Sequence, residues 1–445
     1  MEINVDLHIH SKYAAACSDK MDIETISSEA KKKRIDVMGT GDCLHPLWLK
    51  EIKRYSKNDE KIISDDTVFI PTVEIEDKNK VHHLLIIPSL SKVEEISEKC
   101  KKFGNLKIDG RAHLNLSGEE IGQIAYDSGA IFGPCHAFTP WTGMYGFHDS
   151  VFECYGDLTK RVSFLELGLS ADTNGASKID ELNAFTFISS SDAHSPWSNK
   201  LGREFTRFSI NEIDKEDISF DEIKSAILYE KNSKPVLNVG FFPEEGKYYS
   251  TACINPNCNI RFMIKEAEIY KWKCPECRSK ITKGVSDRIE ELSKKFDSKN
   301  SKETKTIERP PYLHIIPLAE IIMNVLGHKS VSTKGVLEIY NELVNEFGTE
   351  INVLLNLNKT NSEKIPKNIV NAIEAFQKNE IEIIPGGGGQ YGSLKINEIR
   401  KENDQTLVKN KQDLNNKNHS NRKALFQNNE INYEQNENQK SLFDF

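Results

Sequence analysis

Between Met1 and about Gly240, short apolar runs alternate with stretches of helical period. The runs "INVDLHIH", "IDVMGTGD", "TVFIPTVEIE", "VHHLLIIPS", "AIFGPCHAF", "VSFLELGLS" and "AFTFISSSDAH" predict strands. The stretches "DIETISSEAKKKRI", "KVEEISEKCKKFG" and "GEEIGQIAYDSG" predict helices, several ending near glycine. Strand, helix and strand in this alternation predict an α/β fold with mostly parallel strands and crossover helices. From Tyr312 to about Ile399 the apolar spacing is helical, as in "LAEIIMNVLG" and "VLEIYNELVNEFG". A strand-like "EIEIIP" and the glycine run "GGGGQYG" follow, and then Asn-rich sequence with no period. These changes divide the chain into 1–240, a Cys-bearing segment 245–285, a mainly helical region 286–400 and a polar tail 401–445.

Composition narrows the class. The 445 residues are 38% hydrophobic and 28% charged, which describes a folded body carrying additional polar sequence. A net charge of -8 excludes a uniformly basic nucleic-acid binder but not a local basic surface. No apolar run approaches a membrane span, and "MEINVDLHIH" has no signal-peptide pattern. Nine cysteines, four of them at metal-ligand spacing, fit a reducing compartment, so a cytoplasmic location is expected.

Histidines and acids collect where the predicted strands end: His8 and His10, Asp42 and His45, Glu74, His82 and His83, His136, Asp192 and His194. In a barrel of parallel strands, the C-terminal strand ends are where sites are built. Residues two apart on a strand share a face, so His8 with His10, and Asp192 with His194, form paired donors. Imidazole and carboxylate together are the ligand set of zinc, manganese and iron hydrolases. The candidates outnumber what one ion can take, which points to two or three ions bridged by Glu74 or Asp192. Such clusters suit phosphate-ester hydrolysis, because they activate water and neutralise phosphate charge. No nucleotide-binding loop of the G-x-x-x-x-G-K type is present.

"DLHIHS", "GTGD", "VEIE", "HHLLIIP", "CHAFTPW" and "SDAHSP...LGREF" resemble the PHP (polymerase and histidinol phosphatase) domain. With "RPPYLHIIPLAEII" and "IEIIPGGGGQYG" they resemble the endonuclease Q family over nearly all of the folded body. The resemblance implies a distorted seven-stranded barrel with a three-metal site. His8, His10, Glu74 and Asp192 would hold one ion, and Glu74, His83 and His136 a second. Asp42, His45 and His194 would hold a third, with Asp192, Glu74 and His194 at the reacting centre. The ions would be zinc, with magnesium or manganese as alternatives. Cys43 stands where many PHP proteins have histidine, Ala15 replaces an expected polar residue, and His113 competes with His83. The implied activity is metal-dependent nicking of single- or double-stranded DNA 5′ to hypoxanthine, uracil, xanthine or an abasic site. A PHP-type small-molecule phosphatase and a non-catalytic DNA-binding module are the competing readings. The implied base pocket lies between barrel and C-terminal domain, with Trp141, Tyr145 or Tyr391 stacking and Arg203 among the substrate contacts.

Cys253 and Cys258 in "CINPNC", with Cys274 and Cys277 in "CPEC", predict a four-Cys structural zinc ribbon. Lys271 and Lys273 beside it are candidate DNA contacts. Gly387 and Gly388 either expose amides to a ligand or make a flexible turn. The chain ends "QKSLFDF", where Gln439, Leu442 and Phe445 fall in a Q-x-x-L-x-x-F string. That string resembles the peptide with which repair and replication proteins bind the sliding clamp, PCNA.

Overall fold

The computed structural model describes residues 1–211, 214–296, 307–357 and 365–396. The first strand, Glu2–Asp6, is buried except at Glu2, as a strand inside a sheet must be. It pairs parallel with Val37–Gly39 and antiparallel with Phe205–Ser209. These belong to a seven-stranded sheet ordered Ile62–Ser64, Thr67–Ile70, Val37–Gly39, Glu2–Asp6, Phe205–Ser209, Lys234–Gly240, Tyr312–His314. A second sheet runs Ala112–His113, Thr72–Glu76, His82–Ile86, Ile131–Pro134, and Phe164–Glu166 pairs with Thr186–Ile188.

Backbone hydrogen bonds join these sheets. Pro71 alone separates Ile70 from Thr72, and Cys43 N–H donates to the Thr72 carbonyl (3.1 Å). Ala137 N–H donates to the Glu166 carbonyl (2.8 Å) and Ser163 N–H to that of Phe132 (2.9 Å). Asp192 N–H then reaches the His8 carbonyl (2.8 Å) and His10 N–H that of Ala193 (2.9 Å), returning to the first strand. Val5, Val37, Val68, Leu84, Ile131, Phe164 and Ile188 pack in one buried cluster, so these strands share an apolar centre.

Two sequence expectations change. Several strand pairs are antiparallel rather than parallel; Thr72–Glu76 and His82–Ile86 are joined by only five residues, too few for a crossover. The first predicted strand ends at Asp6, so His8 and His10 lie beyond its regular part. The helices form much as expected. Asp22 caps Ile23–Lys33 through Thr25 N–H (2.9 Å), and Ser117 with Glu120 makes a capping box on Gly118–Asp127. Leu318–Leu326, Lys334–Phe347, Glu350–Asn356 and Lys367–Gln377 bury apolar faces in the same core that holds Ile26 and Ala30. "EIEIIP" gives the strand Ile381–Ile384, paired with Ser393–Ile396 across the glycine run.

Glu204 is buried and makes no ion pair among the described residues. Its Oε1 accepts Phe241 N–H (3.0 Å) and its Oε2 has no hydrogen-bond partner among the described residues. Burial pushes the carboxyl up to about 8, while Phe241 N–H and the Arg203 charge pull the other way. The native state therefore keeps this proton where the unfolded chain, ionising near 4.5, has lost it. Stability from this group falls as pH rises from about 4.5 to about 8 and is level above that window. Glu204→Gln is expected to raise the melting temperature at pH 8 more than at pH 5; an equal gain at both would contradict a protonated native carboxyl.

Candidate metal centre

Glu74 sits on a hairpin strand whose register places Glu74 opposite Leu84, Ile75 opposite His83 and Glu76 opposite His82. Opposed residues share a face, so His82 lies on the side of Glu74 and His83 on the other. His82 Nδ1 lies 2.5 Å from Glu74 Oε1, and His136 Nε2 lies 3.1 Å from the same oxygen. His83 points Nδ1 at the Tyr155 hydroxyl (2.7 Å) and Nε2 toward Asp77 (3.4 Å). The second donor group is therefore Glu74, His82 and His136, with His82 in place of the expected His83. His113 is exposed and lies 3.0 Å from Glu76, outside the cluster.

The first expected group assembles. His8 Nε2 lies 3.7 Å from Glu74 Oε1 and 3.6 Å from Asp192 Oδ1, and His10 Nε2 lies 3.2 and 3.3 Å from the same two carboxylates. Donors about 2.1 Å from one tetrahedral ion stand ~3.4 Å apart, so these spacings are those of shared ligands. The buried atoms His8 Nε2, His136 Nδ1 and Asp192 Oδ1 have no hydrogen-bond partner among the described residues. A nitrogen and a carboxylate oxygen left in that state fit divalent metal ions.

The third expected group does not form as read. Asp192 and His194 gather with His10. Asp42 holds the opposite nitrogen of His10, Oδ1 to Nδ1 at 3.0 Å, and accepts Ser11 N–H (2.5 Å). It orients the ring from behind. His45 stacks on Tyr13 at 4.6 Å with Nε2 toward the Lys107 carbonyl (3.4 Å).

Sequence reasoning missed two residues. Glu166 lies 2.9 Å from His8 Nδ1 and accepts His136 N–H (2.7 Å), so one carboxylate positions two donors. Its signal was an acid inside the apolar strand "FLE". Arg111 donates through Nε to Glu74 Oε2, and nothing local in "RAH" marks it. Charge sets the protonation pattern: burial alone would lower His8, but Glu166, Asp192 and Glu74 raise it to about 9. Burial would raise Glu74, yet His82 and Arg111 hold it well below the usual carboxylate range.

Backbone strain concentrates at these positions. Asp42 (φ 46°), His136 (φ 26°) and Asp192 (φ 47°) all occupy the left-handed region. Gly168, at φ 76°, must lack a side chain, because a Cβ there would stand 2.7 Å from His136 Cβ.

A cavity of about 500 Å³ opens from the cluster, lined by His82, His136, Asp192 and His194 at one part and by Lys200, Arg203, Lys247 and Tyr391 at another. Trp141 lines it too, and also a second cleft of about 440 Å³ against the Cys-bearing segment. Lys280 Nζ sits 4.2 Å above the Trp141 ring. Tyr145 is buried beneath that cleft, with its hydroxyl on Glu181 (2.9 Å), so it presents no stacking face. Lys271 and Lys273 are exposed. Gly387 and Gly388 pack on backbone instead of facing the cavity: a Cβ on Gly388 would come 2.2 Å from the Cys253 carbonyl oxygen. The four sulfurs of Cys253, Cys258, Cys274 and Cys277 lie within 4.8 Å of one another. Cys253 and Cys277 are 3.4 Å apart and Cys258 and Cys274 3.6 Å. Four sulfurs ~2.3 Å from one ion would be ~3.8 Å apart, so the set fits a metal.

A buried His and carboxylate cluster at a cavity's end, on an α/β scaffold, defines a metal-dependent hydrolase. Comparison with known proteins sharpens this. The chain is 41% identical to the lesion-specific endonuclease PfuEndoQ from Pyrococcus furiosus, whose crystal structure matches with a TM-score of 0.79 over 92% of this chain and 99% of that one. It is likewise 41% identical to endonuclease Q solved with a 27-mer duplex substrate carrying an abasic lesion at the active site (TM-score 0.81; 89% of this chain, 97% of that one). The chain belongs to the endonuclease Q family. Residues 317–380 match the family model of the MJ0043 C-terminal domain. The uncharacterized protein MJ0043 of Methanocaldococcus jannaschii is 40% identical over 66% of this chain, which spans only 35% of that relative's length. YqxK of Bacillus subtilis is 29% identical over 88% of this chain and 99% of its own.

Proposed function

We propose that this protein is a metal-dependent DNA endonuclease that nicks the phosphodiester 5′ to a deaminated base or an abasic site, initiating repair. The observation that carries the reading is the convergence of His8, His10, His82, His136 and His194 on Glu74 and Asp192, beside a cavity of nucleotide size. Its likeness to endonuclease Q bound to an abasic duplex supports DNA as substrate. In this reading the closed set of strands is the distorted seven-stranded barrel, within the proposed domain 1–240. Bound divalent ions would activate water and neutralise phosphate charge. Glu166 and Asp42 fix the ring orientation of His8 and His10, and Arg111, which donates to Glu74, would add a positive charge beside the reacting phosphate. The four cysteines would hold structural zinc in a ribbon at 245–285, with Lys271 and Lys273 toward the DNA backbone. The proposed helical domain, 286–400, would close the cavity through Tyr391.

The experiment is incubation with manganese or magnesium and duplexes carrying one hypoxanthine, uracil or abasic site. A nick 5′ of the lesion, abolished by chelator and absent on undamaged DNA, is expected. Phosphate-monoester hydrolysis without nicking would instead identify a small-molecule phosphatase. Gln439, Leu442 and Phe445 lie outside the described residues. Deleting Gln439 to Phe445 is expected to abolish binding to PCNA and leave clamp-independent nicking intact; retained binding would refute the motif.

A further inference from the structure

Two donor atoms of the metal centre already face a cation that belongs to the protein itself. Arg111 Nε donates to Glu74 Oε2, and Arg111 Nη2 lies 3.5 Å from His10 Nε2. Those two acceptor atoms are 3.2 Å apart, the spacing of ligands that share an ion. The backbone fixes this approach. Ala112 pairs with Ile75 and His113 with Glu76 in a parallel register, so the residue before them, Arg111, comes level with Glu74. Its own N–H donates to Asp109 Oδ1 (3.1 Å), and Gly110 N–H donates to the Tyr13 carbonyl (3.0 Å).

The side of the ligands on which the guanidinium stands decides its role. A group that merely orients a ligand bonds to the atom facing away from the ion. Asp42 does so at His10 Nδ1, and Glu166 does so at His8 Nδ1. With its Nδ1–H given to Asp42, His10 presents a lone pair at Nε2. Arg111 meets that lone pair and the Glu74 oxygen beside it, so it stands on the ligand side. The side chains of Glu74 and His10 are sealed from solvent, whereas that of Arg111 is 21% exposed and lines the cavity. Arg111 therefore stands between the cavity and this pair of donors. A guanidinium keeps its proton throughout the working pH range. It repels a divalent ion and competes with it for the same two lone pairs. Its charge also balances Glu74, a buried carboxylate that would be costly to leave unpaired.

We propose that Arg111 gates the metal centre. As an internal counter-ion it holds Glu74 Oε2 and His10 Nε2, yields both to an incoming divalent ion, and turns into the cavity to meet the anionic oxygens of a phosphate. This deepens the metal-dependent reading of the site and rests on it. Manganese is titrated into the full-length protein, freed of exchangeable metal by dialysis, and the free ion is read by electron paramagnetic resonance. Arg111→Met keeps the aliphatic stem and removes the competing cation. It is expected to bind manganese about 10–100-fold more tightly than the parent, the size of effect typical of groups adjoining metal ligands. Arg111→Lys, a single point donor that cannot bridge both atoms, falls between the two. Weaker or unchanged binding in Arg111→Met would make Arg111 an orienting support and overturn the gate. Melting with and without manganese reports folding: Arg111→Met should melt below the parent without metal and gain more when it is added. Should Arg111→Met not fold, Arg111→Lys carries the same test, and binding no tighter than the parent's overturns the proposal. Nicking of an abasic duplex by Arg111→Met should need less manganese for half its maximal rate yet level off at a lower rate. A maximal rate equal to the parent's would overturn the turn toward phosphate. A parent protein that binds manganese and nicks no lesion duplex would overturn the endonuclease reading alone, because the metal titration contains no DNA.

Discussion

Glu74→Ala is expected to lower metal-dependent nicking of a lesion duplex at least about 1,000-fold, roughly 4 kcal/mol of transition-state stabilisation. The reason is its position. His8, His10, His82, His136 and Arg111 all place a nitrogen toward this one buried carboxylate. Its removal takes away the anion that bridges two donor groups and leaves several cationic or metal-seeking side chains facing one another. Glu166→Gln provides the graded contrast. Gln keeps an oxygen for His8 Nδ1 but loses the charge that positions the ring, an effect typically worth about 10–100-fold in metal affinity or activity. Added metal should rescue Glu166→Gln and leave Glu74→Ala inactive. The neighbouring histidines give the sharpest check. His82→Ala should lower bound metal, measured by elemental analysis, whereas His83→Ala should keep its metal and lose stability through its Tyr155 contact. The reverse pattern would place the second donor group on the wrong face of the hairpin.

That pair also shows where the sequence stops being readable. "VHHLLIIP" is buried from His82 through Ile87, so alternation of apolar and polar residues cannot tell its two faces apart. The register does, because Glu76 lies opposite His82; register is a tertiary quantity, set by the five-residue turn and by packing on both faces. Asp42 was read as a ligand for a related reason. Its place behind His10 follows from a left-handed backbone at φ 46°, which the string "GTGD" permits without requiring. By contrast, His8, His10, Asp192 and the four cysteines were legible, because their donors converge through short spacings along the chain. The C-terminal helices were legible from period alone, since each buries one stripe. The glycine run left a ligand loop and a flexible turn equally open, and close backbone packing at Gly388, which no local pattern distinguishes, explains it.

The largest expected effect on stability comes from a contact between residues far apart in sequence. Lys33 ends its helix with Nζ 2.6 Å from Glu350 Oε2 and hydrogen-bonded to the Ser198 carbonyl. The side chains are 4% and 1% exposed. Glu350 also accepts Leu318 N–H (3.0 Å) and the Tyr340 hydroxyl (2.7 Å), so the pair is buried and well hydrogen-bonded. Lys33→Met keeps the aliphatic stem and removes the charge, leaving buried Glu350 without its cationic partner. Breaking one side of such a pair typically costs about 3–5 kcal/mol. Urea unfolding should show that loss, and Lys33→Met combined with Glu350→Gln should recover much of it, because no unpaired charge then remains. A single variant within about 1 kcal/mol of the parent would mean that Leu318 and Tyr340 suffice for Glu350. The functional consequence follows from Ser198, which lies on the segment between Asp192 and Arg203. Lys33 ties that segment to the C-terminal helices, so its loss loosens the metal ligand and the cavity cation together. Folded Lys33→Met is therefore expected to nick more slowly on abasic and uracil duplexes alike.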